Sequence, residues 1–144
     1  MPAWAALAAA GSTASERRGS RRLSRRSRAQ CRPRAGDVVR NDVALGTRQA
    51  VEHLVCLEHR AIVHLDGGSN PGANDRRAGY CEAMTHHGLS DQIRKVPGGY
   101  TAKDGALAAQ QLLTGELPTA MIAANDQAAI GLLDIMIRAD VRVP

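Results

Sequence analysis

The chain has 144 residues and a net charge of +5, and aromatic residues make up only 2% of it. This length suits one ordinary domain. The chain contains no Phe, so a core would rest on Ala, Val, Leu, Ile and Met, and alanine buries little area per residue. No stretch approaches the roughly 18 apolar residues that a membrane-spanning helix needs. We therefore expect a small domain with a thin core and no membrane partner.

The charge is divided unevenly along the chain. Residues 1–36 hold nine Arg and one acidic residue, Glu16, for a net charge of +8, whereas residues 37–144 carry −3. Arg, Ser and Gly dominate residues 11–36, which cannot bury enough apolar area to offset the entropy lost on ordering. The composition predicts a disordered Arg/Ser-rich tail over residues 1–36. Three interpretations stay open: a nucleic-acid-binding arm, a solvated tail without a role, and a misassigned reading frame upstream of a real domain.

The cysteines favour a reducing compartment. Cys31, Cys56 and Cys81 are odd in number and lack the spacing of a metal site. The apolar run Ala3–Ala10 resembles a signal sequence, but no basic residue precedes it and an Arg-rich run follows it. The sequence therefore predicts a cytoplasmic protein.

From residue 37 onward the pattern alternates between strands and helices. The pair Asn41-Asp42 marks a helix start, and Thr101-x-x-Asp104 is typical of a capping box. Gly88 is typical of a position just past a helix end. The predicted elements, in chain order, are a strand at 37–39, a helix at 43–57, a strand at 61–65, a helix at 74–87, a strand at 92–96, a helix at 101–113, a strand at 119–124 and a helix from 125 to about 139.

This order predicts an α/β fold, in which a parallel sheet carries helices on both faces. Ligands of such sheets bind at the carboxyl ends of the strands, where loops lead into helices. The four loops at that edge are Arg40–Val43, Asp66–Arg77, Gly98–Thr101 and Asn125–Gln127.

Motifs in and around these loops carry a family resemblance. In chain order they are Gly46-Thr47-Arg48 with Ala50–Leu54, Arg76-Arg77-Ala78-Gly79-Tyr80, Gly98-Gly99-Tyr100-Thr101 and Pro118–Gly131. The set resembles the ligand-sensing half of bacterial lactose-repressor (LacI) type transcription regulators. The resemblance implies a partial sensor domain over residues 37–144. Its expected fold is an incomplete periplasmic-binding-protein-like (type I) lobe.

The resemblance also implies three ligand contacts, to a small polar effector such as a sugar. Arg76 would donate paired hydrogen bonds, Tyr100 would stack on a sugar ring, and Asn125 would offer a donor and an acceptor together. Alternative roles remain open for each: Arg76 could be solvated or paired with Asp75, Tyr100 could plug the core, and Asn125 could serve only as a helix cap. Asp126 is interpreted as a cap and dipole partner of the last helix.

Two local departures from the family pattern stand out. Leu57-Glu58-His59 replaces the usual Leu-Gly-His, and if that position needs a left-handed backbone, Glu costs about 1 kcal/mol relative to Gly. Gly98-Gly99 replaces the usual Gly-Asp. We also expect no DNA-reading helix-turn-helix in residues 1–36 and most of a second lobe to be missing, so that a cleft ligand would meet one wall.

The leading hypothesis is therefore the effector-binding domain of a LacI-type regulator. Such regulators act as homodimers on DNA, whereas this chain is expected to contact DNA only non-specifically, through the Arg-rich tail. One alternative is a sugar-binding protein of an uptake system, and another is an Arg-rich nucleic-acid-binding tail on a non-functional remnant. We find no catalytic constellation, cofactor motif or metal spacing, and His86-His87 next to Gly88 is interpreted as helix capping.

Overall fold

The computed structural model of the chain describes residues 7–9 and 40–143. Its elements are β1 (Leu7–Ala9), α1 (Val43–Cys56), β2 (Ile62–Leu65), α2 (Ala73–His86), a 3-10 turn (Ser90–Gln92), β3 (Arg94–Val96), α3 (Ala102–Leu113), β4 (Ala120–Ala123) and α4 (Asp126–Arg138). The helices and strands predicted after residue 40 are all present. Gln92, predicted as strand, lies in the 3-10 turn instead. The strand predicted at 37–39 falls outside the described residues.

The four strands form one parallel sheet in the order β1-β4-β2-β3. Ile62 at the start of β2 pairs with Ala120 at the start of β4, so these two strands begin and end at the same level. The predicted α/β fold with a parallel sheet is confirmed. As a result, the carboxyl ends of β2, β3 and β4 share one edge of the sheet.

Strand β1 is an element that the sequence analysis did not predict. Leu7–Ala9 pairs with β4 at the sheet edge, although it falls inside the segment whose composition predicts disorder. Backbone pairing with an exposed strand edge is open to almost any side chains, so composition alone does not reveal it. Residues 1–6 and 10–39 lie outside the described part of the chain. For them the disordered tail, and with it the domain boundary at 36/37, stays a prediction.

Helices cover both faces of the sheet, and the residues of β2 and β4 alternate between two cores. One core joins these strands to α3 and α4, and it includes Val63, Leu65, Met121, Ala129 and Leu132. The other joins them to α1 and α2, and it includes Ile62, Ile122, Leu54, Tyr80 and Met84. Every residue of β2 and β4 is buried, as expected for parallel strands covered on both sides.

Helices α3 and α4 approach each other closely at two glycines. A Cβ atom at Gly105 would collide with the carbonyl oxygen of Ala128, and one at Gly131 would collide with that of Ala102. Both collisions involve backbone atoms, which cannot turn aside as a side-chain tip can. Small residues at these positions therefore let an alanine-rich interface pack tightly. Within the described ranges, no helix is both long and apolar enough to cross a bilayer.

Helix α1 ends in a left-handed turn at Glu58, where φ is 66°. The His59 N–H donates to the Leu54 carbonyl and the Glu58 N–H donates to the Val55 carbonyl, both at 3.0 Å. This pair of bonds is the Schellman motif, which favours glycine at the left-handed position. Helix α2 ends in the same motif with Gly88 at that position, at a φ of 71°. The positive φ observed at Glu58 thus agrees with the condition under which Glu was expected to be less favourable than Gly at this position.

Glu58→Gly is expected to raise the free energy of unfolding by about 1 kcal/mol, because it removes the Cβ penalty of a left-handed residue. Urea denaturation followed by circular dichroism measures the change. Glu58→Ala is the matched control, since it removes the same carboxylate but keeps the Cβ atom. Equal stabilisation by both variants would assign the effect to charge rather than to backbone strain.

His64 is fully buried in β2. Its Nδ1 lies 3.2 Å from the Ile122 carbonyl oxygen, while its Nε2 is buried and meets no hydrogen-bond partner within the described part of the chain. Burial lowers the pKa of His64, against smaller raising effects from the Ile122 carbonyl and the Asp66 carboxylate. The positive charges of Arg76 and Arg77 also lower it. The fold therefore favours the neutral form of this imidazole.

We expect stability to fall as the pH drops below the pKa of about 6.5 that histidine has in an unfolded chain. Below that pH the imidazole binds a proton more readily in the unfolded chain than in the folded protein, so protonation favours unfolding. Linkage limits the loss between about pH 7.5 and pH 5.5 to at most about 1.4 kcal/mol for one histidine. His64→Leu should remove that share of the pH dependence in urea titrations. The exposed His53→Gln is the control; an unchanged pH dependence in His64→Leu would contradict the assignment.

Candidate ligand-binding site

Three strand ends deliver polar side chains to one edge of the sheet. Asp66 directly follows β2, Tyr100 comes four residues after β3, and Asn125 comes two residues after β4. Arg76 lies in α2, the helix that follows the loop of β2. Because the strands are parallel, these loops meet at the carboxyl edge, where α/β proteins bind their ligands.

Arg76 and Tyr100 are in direct contact. The Arg76 Nη1 donates a 2.8 Å hydrogen bond to the Tyr100 hydroxyl, and the guanidinium carbon lies 5.7 Å from the centre of the Tyr100 ring. The hydroxyl in turn donates to the Pro71 carbonyl oxygen at 2.7 Å. The phenol therefore links α2 to the loop that follows β3.

Asn125 is joined to the same group. Its Oδ1 accepts a 2.9 Å bond from the Ala128 N–H, which caps α4, and its Nδ2 donates to the Tyr100 carbonyl oxygen at 3.0 Å. A primary amide has two donor hydrogens and two acceptor lone pairs, so one of each remains available. The capping role thus leaves hydrogen-bonding capacity for a ligand.

The Tyr100 ring lies against Gly67, in the loop after β2. A Cβ atom at Gly67 would overlap ring atoms of Tyr100, so any larger residue there would move the ring. A second glycine, Gly99, allows a close approach to Asp104, whose carboxylate completes the predicted capping box of α3 with Thr101. These two close approaches position the tyrosine between α2 and α4.

Asp66 and Arg77 form an ion pair beside this group. The Arg77 Nε and Nη2 each donate a 2.8 Å bond to Asp66, one to each carboxylate oxygen. Burial raises the pKa of the Asp66 carboxyl, but the hydrogen bonds from Arg77 and from the Gly68 N–H outweigh burial and hold the pKa below its usual value. The pair fixes the loop after β2 to α2.

The structure brings Arg76, Tyr100 and Asn125 together as one hydrogen-bonded chain. The alternative in which Arg76 pairs with Asp75 is not observed: the ion pairs of the described residues are Arg48–Glu82, Arg77–Asp66 and Arg138–Asp134. Sequence reasoning missed the Asp66–Arg77 pair. The available signal was an acidic residue immediately after a buried strand, at the edge where such residues converge.

A cavity of about 350 Å³ lies at the opposite, amino edge of the sheet. It is lined by Ala61–Val63, Asp91–Arg94 and Glu116–Pro118. None of the three predicted site residues borders it, so the candidate site rests on its polar chemistry rather than on this cavity. Over residues 40–143, no three side chains of the metal-ligating types cluster closely enough to hold an ion.

Comparison with known proteins shows the family to which the chain belongs. Residues 26–141 match the family described as "Periplasmic binding proteins and sugar binding domain of LacI family". The lactose operon repressor of Escherichia coli K12 is 38% identical over 100 residues, which are 68% of this chain and 28% of the repressor. The chain is therefore a member of this family of periplasmic binding proteins and LacI-type sugar-binding domains. The resemblance read from the motifs is confirmed.

Solved structures agree with this assignment. A LacI transcriptional regulator from a Rhodococcus species is 46% identical, with a TM-score of 0.72 over 74% of this chain and 40% of its own. A LacI family regulator from Enterococcus faecium, solved with bound ribose, is 26% identical, with a TM-score of 0.65 over 72% of this chain and 39% of its own. The expected periplasmic-binding-protein-like fold is confirmed. The chain spans less than half the length of each of these relatives.

Proposed function

We propose that this chain is the effector-binding part of a bacterial LacI-type transcription regulator and that it binds a small polar ligand such as a sugar. The observation that carries the proposal is the hydrogen-bonded chain Arg76–Tyr100–Asn125, which spans the ends of adjacent parallel strands. These residues come from three separate segments, the first turn of α2, the loop after β3 and the N-cap of α4, and helix capping alone does not require them to meet. Their meeting at the carboxyl ends of the strands, where folds of this kind bind ligands, supports a binding role.

Each of the three side chains suits a sugar. Arg76 offers donors for hydroxyl groups, Tyr100 offers an aromatic face for the apolar side of a ring, and Asn125 offers its remaining donor and acceptor for a hydroxyl that is both. Bound ribose in the related Enterococcus faecium regulator supports this ligand class. A ligand that binds here must compete with the hydrogen bonds that these side chains already make.

A regulatory role is favoured over sugar uptake, the second function of proteins with this fold. The lactose operon repressor, the AscG regulator of Escherichia coli and the DegA regulator of Bacillus subtilis are all transcription regulators. We propose a cytoplasmic location on the same ground. A related dimeric lac repressor, 36% identical with a TM-score of 0.62, supports the expectation of a homodimer, which stays a prediction.

The ligand proposal is tested by titrating the 144-residue chain with D-ribose and recording amide shifts by NMR. We expect binding in the millimolar range, because the proposed site supplies only three side chains and each net hydrogen bond contributes about 0.5–1.5 kcal/mol. The Arg76→Ala/Tyr100→Ala double variant should abolish the shifts. Arg48→Ala removes a guanidinium elsewhere on the surface and is the matched control.

Two results would count against this site. One is shifts that map to the amino-edge cavity around Arg94 rather than to the loops at Asp66 and Tyr100. The other is ribose binding that survives the double variant. Either outcome would place ligand binding elsewhere on the domain while leaving the family membership untouched.

Binding to DNA is expected to be independent of sequence and driven by the nine Arg of residues 1–36. Each phosphate contact releases counterions, so affinity should fall steeply as salt rises. Fluorescence anisotropy with several unrelated duplexes at two salt concentrations measures both properties. A chain in which these nine Arg are all replaced by Gln keeps β1, and as the control it should lose the binding. A preference of about 100-fold for one duplex at physiological salt would contradict the prediction, since phosphate contacts carry no sequence information.

A further inference from the structure

Arg76 has an incompletely paired guanidinium. Its Nη1 donates to the Tyr100 hydroxyl, but its Nε is buried and has no hydrogen-bond partner among the described residues. None of the ion pairs formed by residues 40–143 includes it. A buried N–H without an acceptor costs about 1–3 kcal/mol, so this arrangement is unfavourable unless something compensates for it.

The neighbouring Arg77 shows what a satisfied guanidinium looks like on the same helix. Its Nε and Nη2 point at the two oxygens of Asp66, both at 2.8 Å. This side-on fork is the geometry that matches a carboxylate, and it uses the very Nε position that Arg76 leaves unpaired. Of the two adjacent arginines, Arg77 thus forms an ion pair with a carboxylate, whereas Arg76 pairs with none of the described carboxylates.

Arg76 also lies beside the start of α2, where a positive charge is unfavourable. Its Nη1 lies close over Gly72, since a Cβ atom built there would sit 3.0 Å away from it. Gly72 is the N-cap of α2 and offers no side-chain acceptor to the first turn. The Ala73 N–H of that turn donates to the Asn70 carbonyl, and Asp75 already places one carboxylate in the turn. The partial positive charge of the helix end still disfavours a neighbouring cation and favours an anion. The guanidinium and the helix end therefore both favour a negatively charged group at this edge.

We propose that the ligand of this site carries a carboxylate group, which Arg76 binds through its Nε edge. The proposal rests on the proposed function, because it names the ligand class for the same site. In the structure the Tyr100 hydroxyl, which is neutral, accepts a hydrogen bond from Arg76 Nη1 in place of a charged acceptor. Because Nε is buried and lies on a different edge of the guanidinium from the Nη1–Tyr100 bond, Arg76 must turn to present Nε to a ligand. Hydrogen bonds to a carboxylate are about twice as strong as those to a neutral acceptor, so they would compensate for loss of the phenol bond. A sugar acid combines such a group with a ring on which Tyr100 can stack.

The test compares D-glucuronate with D-glucose, which share a ring and differ by a carboxylate in place of a hydroxymethyl group. Amide shifts of the 144-residue chain are followed by NMR, up to about 100 mM of each sugar. We expect glucuronate to bind roughly 10-fold more tightly at low salt. Arg76→Gln should reduce glucuronate affinity to that of glucose. Arg94→Gln, at the opposite edge of the sheet, removes the same charge and should leave the preference intact.

A second variant examines the tyrosine. Tyr100→Phe keeps the ring but removes the competing hydroxyl, so glucuronate should bind about 3-fold more tightly. Weaker binding by this variant would overturn the role of the phenol as a substitute acceptor. Equal binding of the two sugars, with both weakened by Arg76→Gln, would overturn the carboxylate assignment and leave the proposed function standing. If neither sugar shifts any resonance, in the unaltered chain or in Tyr100→Phe, the carboxylate assignment falls. Ribose binding then decides the proposed function separately.

Discussion

Close approach of backbone to backbone is the constraint on which this structure depends. With aromatic residues at 2% and no Phe, the core is filled largely by small side chains, and small side chains bury enough area only when the layers lie close together. Glycines make this possible in both helix pairs. Gly79 of α2 lies against the Ala44 carbonyl of α1, as Gly105 and Gly131 do between α3 and α4.

The candidate site follows from this packing. α2 carries Arg76, and its position is set by the contact of Gly79 with α1 and by the Asp66–Arg77 ion pair. α3 and α4, locked together by their glycines, begin immediately after Tyr100-Thr101 and at Asn125. The side chains that meet at the carboxyl edge are therefore held by rigid elements, and Tyr100 joins them because its hydroxyl and its backbone carbonyl contact different helices.

Local sequence signals were sufficient where the interaction itself is local. The caps at Asp42, Thr101 and Asn125 were readable because each bonds an N–H three residues further along the chain. The left-handed backbone at Glu58 was raised as a condition by the family resemblance, because Glu58 stands where the family usually has Gly, the residue that favours that conformation. The resemblance also indicated Arg76, Tyr100 and Asn125 as a group before any geometry was known.

Long-range contacts could not be predicted in the same way. The Asp66–Arg77 fork joins residues 11 apart, and nothing local distinguishes Arg77 from Arg76 as the partner of that carboxylate. The pairing of Leu7–Ala9 with β4 crosses more than one hundred residues and depends on backbone groups, which every sequence possesses. The 3-10 turn at Gln92 shortened a predicted strand because the turn satisfies its own backbone hydrogen bonds.

The sequence by itself thus determined the alternation of strands and helices, the helix ends, the α/β class and the identity of the polar residues at the strand ends. Those properties depend on periodicity and on bonds that span only a few residues. Only the tertiary structure decided which arginine is neutralised, which tyrosine hydroxyl meets it and which buried nitrogen is left without an acceptor. The physical reason is that side-chain pairing across separate loops depends on distances set by the packing of whole helices, and a linear pattern does not contain those distances.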